Sequence, residues 1–158
     1  QEHYFDTRFA LKEKIDEIPI RYDYVFIDTH PSETNLMIVL PLSAADLVLV
    51  PTRLNYSSIV ATERTIELID KARKSGLNIK YKVVAMAVDT IKMKRELTDF
   101  NEYMRELGIL SSPLVKHSVV IDKLSFRGQE LSNNSNKYAK KVMDTFRDVY
   151  AEIEEVLQ

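Results

Sequence analysis

The residues best placed to do chemistry form one short stretch, Asp28-Thr29-His30-Pro31-Ser32, directly after the apolar run Tyr24-Val25-Phe26-Ile27. Open α/β sheets form their binding crevice outside the carboxyl ends of the strands. A carboxylate held there can accept hydrogen bonds from the water shell of Mg²⁺, a cation that prefers oxygen partners and keeps several of its waters. His30 has an unperturbed pKa near neutrality, so its charge can respond to its surroundings. The same pattern also reads as an aspartate opening a turn, with His30 as an ordinary loop residue. His3, His30 and His117 lie far apart and lack the spacing of metal ligands. The absence of cysteine excludes disulfides, cysteine-ligated zinc and iron–sulfur clusters from this chain.

A second kind of chemistry lies in the charges. The 158 residues carry 22 Lys and Arg against 24 Asp and Glu, a formal net charge of -2, so bulk charge does not point to nucleic acid. Locally the balance differs. Between Lys116 and Arg147 the basic residues Lys116, Lys123, Arg127, Lys137, Lys140, Lys141 and Arg147 outnumber Asp122, Glu130 and Asp144. After that come Asp148, Glu152, Glu154 and Glu155. A helix dipole prefers acids first and bases last, so this order opposes it and suggests a partner rather than local stability as its cause. Basic side chains on one surface neutralise DNA phosphates without reading sequence, and they equally serve as a solvated helix face. Lys92, Lys94 and Arg95 form a second, smaller cluster.

These residues must be positioned by alternating strands and helices. Tyr24–Asp28, Leu47–Val50 ending at Pro51, and Val83–Val88 ending at Asp89 are continuous apolar runs. Strands buried on both faces read this way. Leu114-Val115, with Val119-Val120 nearby, is a weaker fourth candidate. Helices are expected over Thr7–Glu17 with Asp6 or Thr7 as N-cap, over Ser57–Ser75, over Glu96–Leu107 and over about Ser135–Leu157. Gly76 before Leu77, and Gly108 before Ile109, read as C-caps. In the last helix Tyr138, Val142, Phe146, Val149, Ile153 and Val156 form the expected buried stripe. Strands separated by helices imply parallel crossovers and an α/β fold, a mostly parallel sheet with helices on both faces in three layers. The length is that of a single domain, 1–158. No apolar run reaches the ~20 residues of a membrane helix.

Tyr22-Asp23-Tyr24-Val25-Phe26-Ile27-Asp28-Thr29-His30-Pro31-Ser32 resembles the second nucleotide-site motif of the ParA/Soj/MinD class of deviant-Walker ATPases, where a strand ends in aspartate followed by Thr-Pro-Pro or a close variant. The resemblance continues through Ser43–Pro51, the helix after Asn55-Tyr56-Ser57, Val83–Asp89 and Lys116–Gly128, so it covers nearly the whole chain from Tyr22 onward. It implies that Asp28 holds Mg²⁺ through water beside the terminal phosphates of ATP, and that Thr29, His30, Pro31 and Ser32 form the loop responding to those phosphates. It places Val115, Lys116 and His117 on the adenine side. His30 stands where the family usually has proline, and His117 and Val120 where arginines are common.

The class also needs a glycine-rich loop with a lysine before Ser or Thr, whose backbone N–H groups cradle the phosphates. Gly76, Gly108 and Gly128 are isolated and none precedes such a pair. The expectation is therefore the C-terminal portion of a ParA-type ATPase domain, an incomplete P-loop NTPase fold lacking the P-loop strand, with Mg²⁺ and ATP used by the full-length protein and no cofactor by this chain alone. The strands at Tyr24–Asp28 and Leu47–Pro51 would then lack their shared neighbour, which favours self-association. The resemblance further implies an ATP-switched homodimer, cytoplasmic and nucleoid-associated, that binds DNA nonspecifically through Lys123, Arg127, Lys137, Lys140, Lys141 and Arg147 and meets a ParB-like centromere-binding partner. The alternatives are a MinD-like membrane-cycling ATPase, which the acidic C-terminus disfavours, and a non-catalytic interaction module of the same fold.

Overall fold

The computed structural model describes residues 7–29, 36–109, 114–132 and 136–158. A 3₁₀ turn at Thr7–Phe9 leads into α1 (Ala10–Asp16). There follow α2 (Leu36–Ala44), β1 (Leu47–Thr52), α3 (Tyr56–Lys74), β2 (Lys80–Ala85), α4 (Lys94–Glu106), α5 (Val119–Phe126) and α6 (Lys137–Leu157). The chain is α/β, a parallel sheet flanked by helices. It divides into two compact units, residues 1–48 with 67–79 and residues 49–66 with 80–158.

In the first unit the 3₁₀ turn, α1 and α2 pack on one another. Thr7 lies in the 3₁₀ turn, so the N-cap of α1 is Phe9, whose side chain makes no capping bond. Asp6 lies outside the described residues. α2 is a helix beyond those expected from the sequence. Its run Leu36–Leu40 is uniformly apolar, and Pro41 stands inside the helix. Residues 24–29 form no strand, contrary to expectation. Strand-type residues become a strand only by pairing. Here Val25 and Phe26 are 48% and 81% exposed, and the rings of Tyr24 and Phe26 meet at 6.4 Å.

In the second unit β1 pairs with β2, and the amide of Met86 donates to the Thr52 carbonyl at 2.7 Å. β1 runs through Pro51, which has no N–H to give; among the described residues β1 pairs with β2 alone and so has an edge, where proline is tolerated. β2 ends at Ala85, earlier than expected, because Ala87 takes the left-handed conformation (φ 55°) and breaks the regular ladder. The chain then resumes at Val88, which forms a parallel bridge with Lys116. Val115 donates to Ala85, Val88 to Val115 and His117 to Val88. Leu114–Lys116 therefore lies beside the end of β2, while Val119 and Val120 begin α5 instead of a strand. Ser118 caps α5 by accepting the Val120 N–H.

The helix ends follow local chemistry. Asn55 caps α3 by accepting the Ser58 N–H at 3.0 Å, and Asn136 caps α6 by accepting the Tyr138 N–H at 2.8 Å. After α3, Gly76 (φ 100°) donates to Arg73 and Leu77 donates to Ala72. After α4, Gly108 (φ 70°) donates to Arg105 and Ile109 to Met104. These are Schellman caps, and the same pair of bonds closes α5 at Gly128 and Gln129.

The core of this unit gathers on β2. Val84, Val115 and Val149 pack together, joined by Leu49, Met86 and Ile153. Val83, Val88, Phe100 and Met104 are also buried. Each such side chain contributes roughly 1.5–3 kcal/mol by leaving water.

Candidate functional site

Asp28 and Thr29 end the extended segment of the first unit, and both are exposed. His30, Pro31 and Ser32 lie outside the described residues. Among the described residues, no group of three or more His, Cys, Asp and Glu side chains could hold a metal directly. A single exposed carboxylate does not enclose a cation. It does fit an outer role, accepting hydrogen bonds from a hydrated Mg²⁺ held mainly by phosphate oxygens.

The expected adenine-side residues separate by exposure. Val115 is 2% exposed and belongs to the core cluster, so its side chain has no surface to offer a ligand. Lys116 and His117 are exposed. Because Val88 and Lys116 pair in parallel, Asp89 and His117 both follow that bridge, at the carboxyl ends of adjacent segments. Asp89 Oδ1 accepts the N–H groups of Ile91 and Lys92, each at 3.1 Å. The Lys92 N–H, then the Ile91 N–H, then the Lys92 ammonium at 3.9 Å hold the Asp89 carboxyl below its usual range, and His117 adds a smaller pull. In the sequence Asp89 reads only as the end of a strand. The available signal was the tetrapeptide Asp89-Thr90-Ile91-Lys92, where an aspartate can bond the backbone two and three residues on.

The proposed phosphate-binding cations are all at the surface. Lys123 lies on α5 and Arg127 at its end; Lys137, Lys140, Lys141 and Arg147 lie on α6. Arg147 pairs with Asp144 at 3.0 Å, and the Lys137 ammonium lies 5.3 Å from the Tyr138 ring centroid. In the smaller cluster Arg95 approaches Asp99 at 4.0 Å and Lys92 approaches Asp89.

The charge order of α6 has in part a local reason, visible only in the structure. Lys82 of β2 meets Glu152 at 2.7 Å, and both side chains are less than a fifth exposed. Lys80 donates to the Val156 carbonyl at 2.5 Å. One acid of the second half of α6, Glu152, and the carbonyl of Val156 thus meet lysines of β2, which offsets part of the unfavourable dipole. The buried face is also corrected. Ala139, Val142, Thr145 and Val149 point inward, whereas Tyr138 and Phe146 are 55% and 38% exposed. Elsewhere Tyr103 of α4 donates to Glu63 of α3, and that bond, followed by burial and the Glu63 charge, raises the tyrosine pKa.

Comparison with known proteins adds to this geometry. The family described as AAA domain, AAA_31, matches residues 2–83, just over half of the chain. The chain is similar to MJECL24, an uncharacterized protein of Methanocaldococcus jannaschii, with 34% identity over 80 residues, 51% of this chain and 30% of the relative. Its fold is similar to that of a Borrelia burgdorferi B31 plasmid partition protein bound to AMPPNP, with a TM-score of 0.66 and 15% identity over 92% of this chain and 56% of that one. A second Borrelia burgdorferi plasmid partition protein structure gives 0.60 and 16% over 94% of this chain and 53% of that one. The chain thus spans about half the length of these solved structures and less than a third of the curated relative. Among the described residues, no helix is long and apolar enough to cross a membrane.

Proposed function

Since the chain belongs to the AAA_31 family of AAA domains, of the ParA type, we propose that it works as the C-terminal portion of an ATP-dependent DNA partition ATPase. The observation that carries this reading is the family match, which includes the strand-type run ending at Asp28-Thr29. In the longer protein Asp28 would orient the water shell of Mg²⁺, and Thr29 to Ser32 would follow the state of the terminal phosphates. The cation, when bound, supplies charge neutralisation of those phosphates. The phosphate cradle has to come from another part of the longer protein, because every glycine of this chain caps a helix C-terminus and none is free to build an anion nest.

The plasmid partition identity of the two structural neighbours supports the segregation role. In this reading ATP favours a dimer that binds DNA nonspecifically through the basic surface of α5 and α6, and a ParB-like partner promotes hydrolysis and release. Such a protein would act in the cytoplasm on the nucleoid.

The test is Asp28→Ala in the full-length protein. Mg²⁺-dependent ATP turnover is expected to fall by roughly 10²-fold, the scale lost when one preorganised electrostatic group is removed. The thermal midpoint should hardly move, because the side chain is exposed. Near-normal turnover in the folded variant would overturn the assignment.

A further inference from the structure

Neutralising the phosphates of a duplex takes charge, and an apolar ring adds nothing to it. Yet aromatic rings stand among the cations of α5 and α6. Phe126, the last residue of α5, is 93% exposed. Lys123 lies three residues before it, on the same side of the helix, and Arg127 follows it directly. Val119, two turns back along that side, is 56% exposed. The combination recurs where α6 begins. Tyr138 is 55% exposed, the Lys137 ammonium lies 5.3 Å from its ring centroid, and Lys141 follows three residues on. α5 and α6 pack on one another within the second unit, so the two sets of rings and cations sit on adjoining elements.

One exposed apolar side chain is ordinary on a protein surface. Two exposed rings, each set beside two cations, fit a particular class of ligand. From Val119 to Lys141 the bases are Lys123, Arg127, Lys137, Lys140 and Lys141 against the acids Asp122 and Glu130, which calls for an anionic occupant. A lipid surface takes a continuous apolar face, whereas the exposed Asp122 and Lys123 interrupt the one between Val119 and Phe126. In a duplex the faces of the bases are stacked on one another and closed to a side chain. In a single strand each base offers a π face beside a phosphate, and a ring next to a cation answers both. We propose that α5 and the start of α6 hold single-stranded DNA, with Phe126 and Tyr138 stacking on unpaired bases while Lys123, Arg127, Lys137 and Lys141 neutralise the phosphates between them. Such stacking tolerates any sequence, because every base has a π face. This use of the surface rests on its DNA-facing role proposed above, and adds to it a mode of binding that a duplex does not share.

The test takes the full-length protein with an oligo-dT strand and with a duplex of equal length, read by fluorescence anisotropy. Phe126→Ala should weaken single-strand binding about tenfold, the scale of one lost base–ring stack, and leave duplex binding within about twofold. Its thermal midpoint should stay with the parent's, because the ring is exposed. Lys123→Ala should weaken both forms alike. Phe126→Trp should keep the affinity. This chain has no tryptophan, so the emission that the variant adds should be quenched by oligo-dT and not by the duplex. Equal loss of single-strand and duplex binding in Phe126→Ala overturns the proposal. So does a Phe126→Ala protein that binds oligo-dT as the parent does, which would turn the ring toward a protein partner. A parent that binds duplex but no single strand overturns it as well and leaves the DNA-facing role standing. A parent that binds neither overturns both.

Discussion

Asp89 has its carboxylate fixed by two backbone N–H groups and faced by Lys92 and His117. The Lys92 N–H bond leads in lowering its pKa from the ordinary 3.8. A carboxyl depressed by folding stabilises the fold above its unfolded pKa, and that contribution disappears as pH falls through the folded value. Asp89→Asn keeps an oxygen acceptor for the turn and removes the charge. The variant should therefore melt below the parent at pH 7, and the gap should close as the pH is taken below the carboxylate range. Thermal melts from pH 7 to pH 2 check this. A gap that stays constant with pH would mean that the turn, not the charge, matters at this position. Tyr103 runs the other way: its raised pKa means that the Glu63 contact holds at neutral pH and weakens as alkali ionises the phenol.

At the scale of the element, α6 concentrates both the proposed DNA contact and the charge inversion. Replacing Lys137, Lys140 and Lys141 with alanine in the full-length protein should weaken duplex binding alike on all sequences. The log–log salt slope should flatten by about 0.9 for each phosphate that is no longer neutralised. Filter binding across a salt series measures both; unchanged affinity and slope would leave these lysines as solvation only. The ends of α3 and α4 were legible because Gly76 and Gly108 mark the C-caps in local chemistry, whereas the N-caps Asn55 and Asn136 emerge only from the structure. The phase of α6 was not legible. Ala139 and Thr145 score as weakly apolar, yet small side chains let a neighbour approach, so they turn inward while Tyr138 and Phe146 stay on the flank. α2 was hidden for a different reason: a uniform apolar run has no period, and Pro41 argues against a helix interior. The segment at Tyr24–Asp28 has the residues of a strand, but pairing is a property of the partner and cannot be read from the segment itself. For the site, the composition of the Asp28 stretch was legible, whereas the burial of Val115 and the meeting of Asp89 with His117 depend on the Val88–Lys116 bridge between distant parts of the chain.

For the molecule as a whole, family and fold class were legible because the order of motifs survives even where single elements shift. What the order leaves open is timing, and the Lys82–Glu152 pair bears on it. These residues are 70 apart in sequence, and the Lys80–Val156 bond spans 76, whereas β1 and β2 are joined through α3 alone. Closing the long span costs chain entropy before any contact repays it, so pairing of β1 with β2 should precede the docking of α6. Contacts made after the folding barrier hold the native state kinetically and leave the approach to it untouched. Lys82→Ala removes a mostly covered ion pair worth roughly 1 kcal/mol, so it should speed unfolding about fivefold and leave the folding rate unchanged. Stopped-flow measurement of both limbs reads this directly; a slowed folding limb would place α6 in the nucleus. The two lysines of β2 therefore act as a late latch: they set how long the second unit stays folded, and the rate at which it gets there is fixed elsewhere.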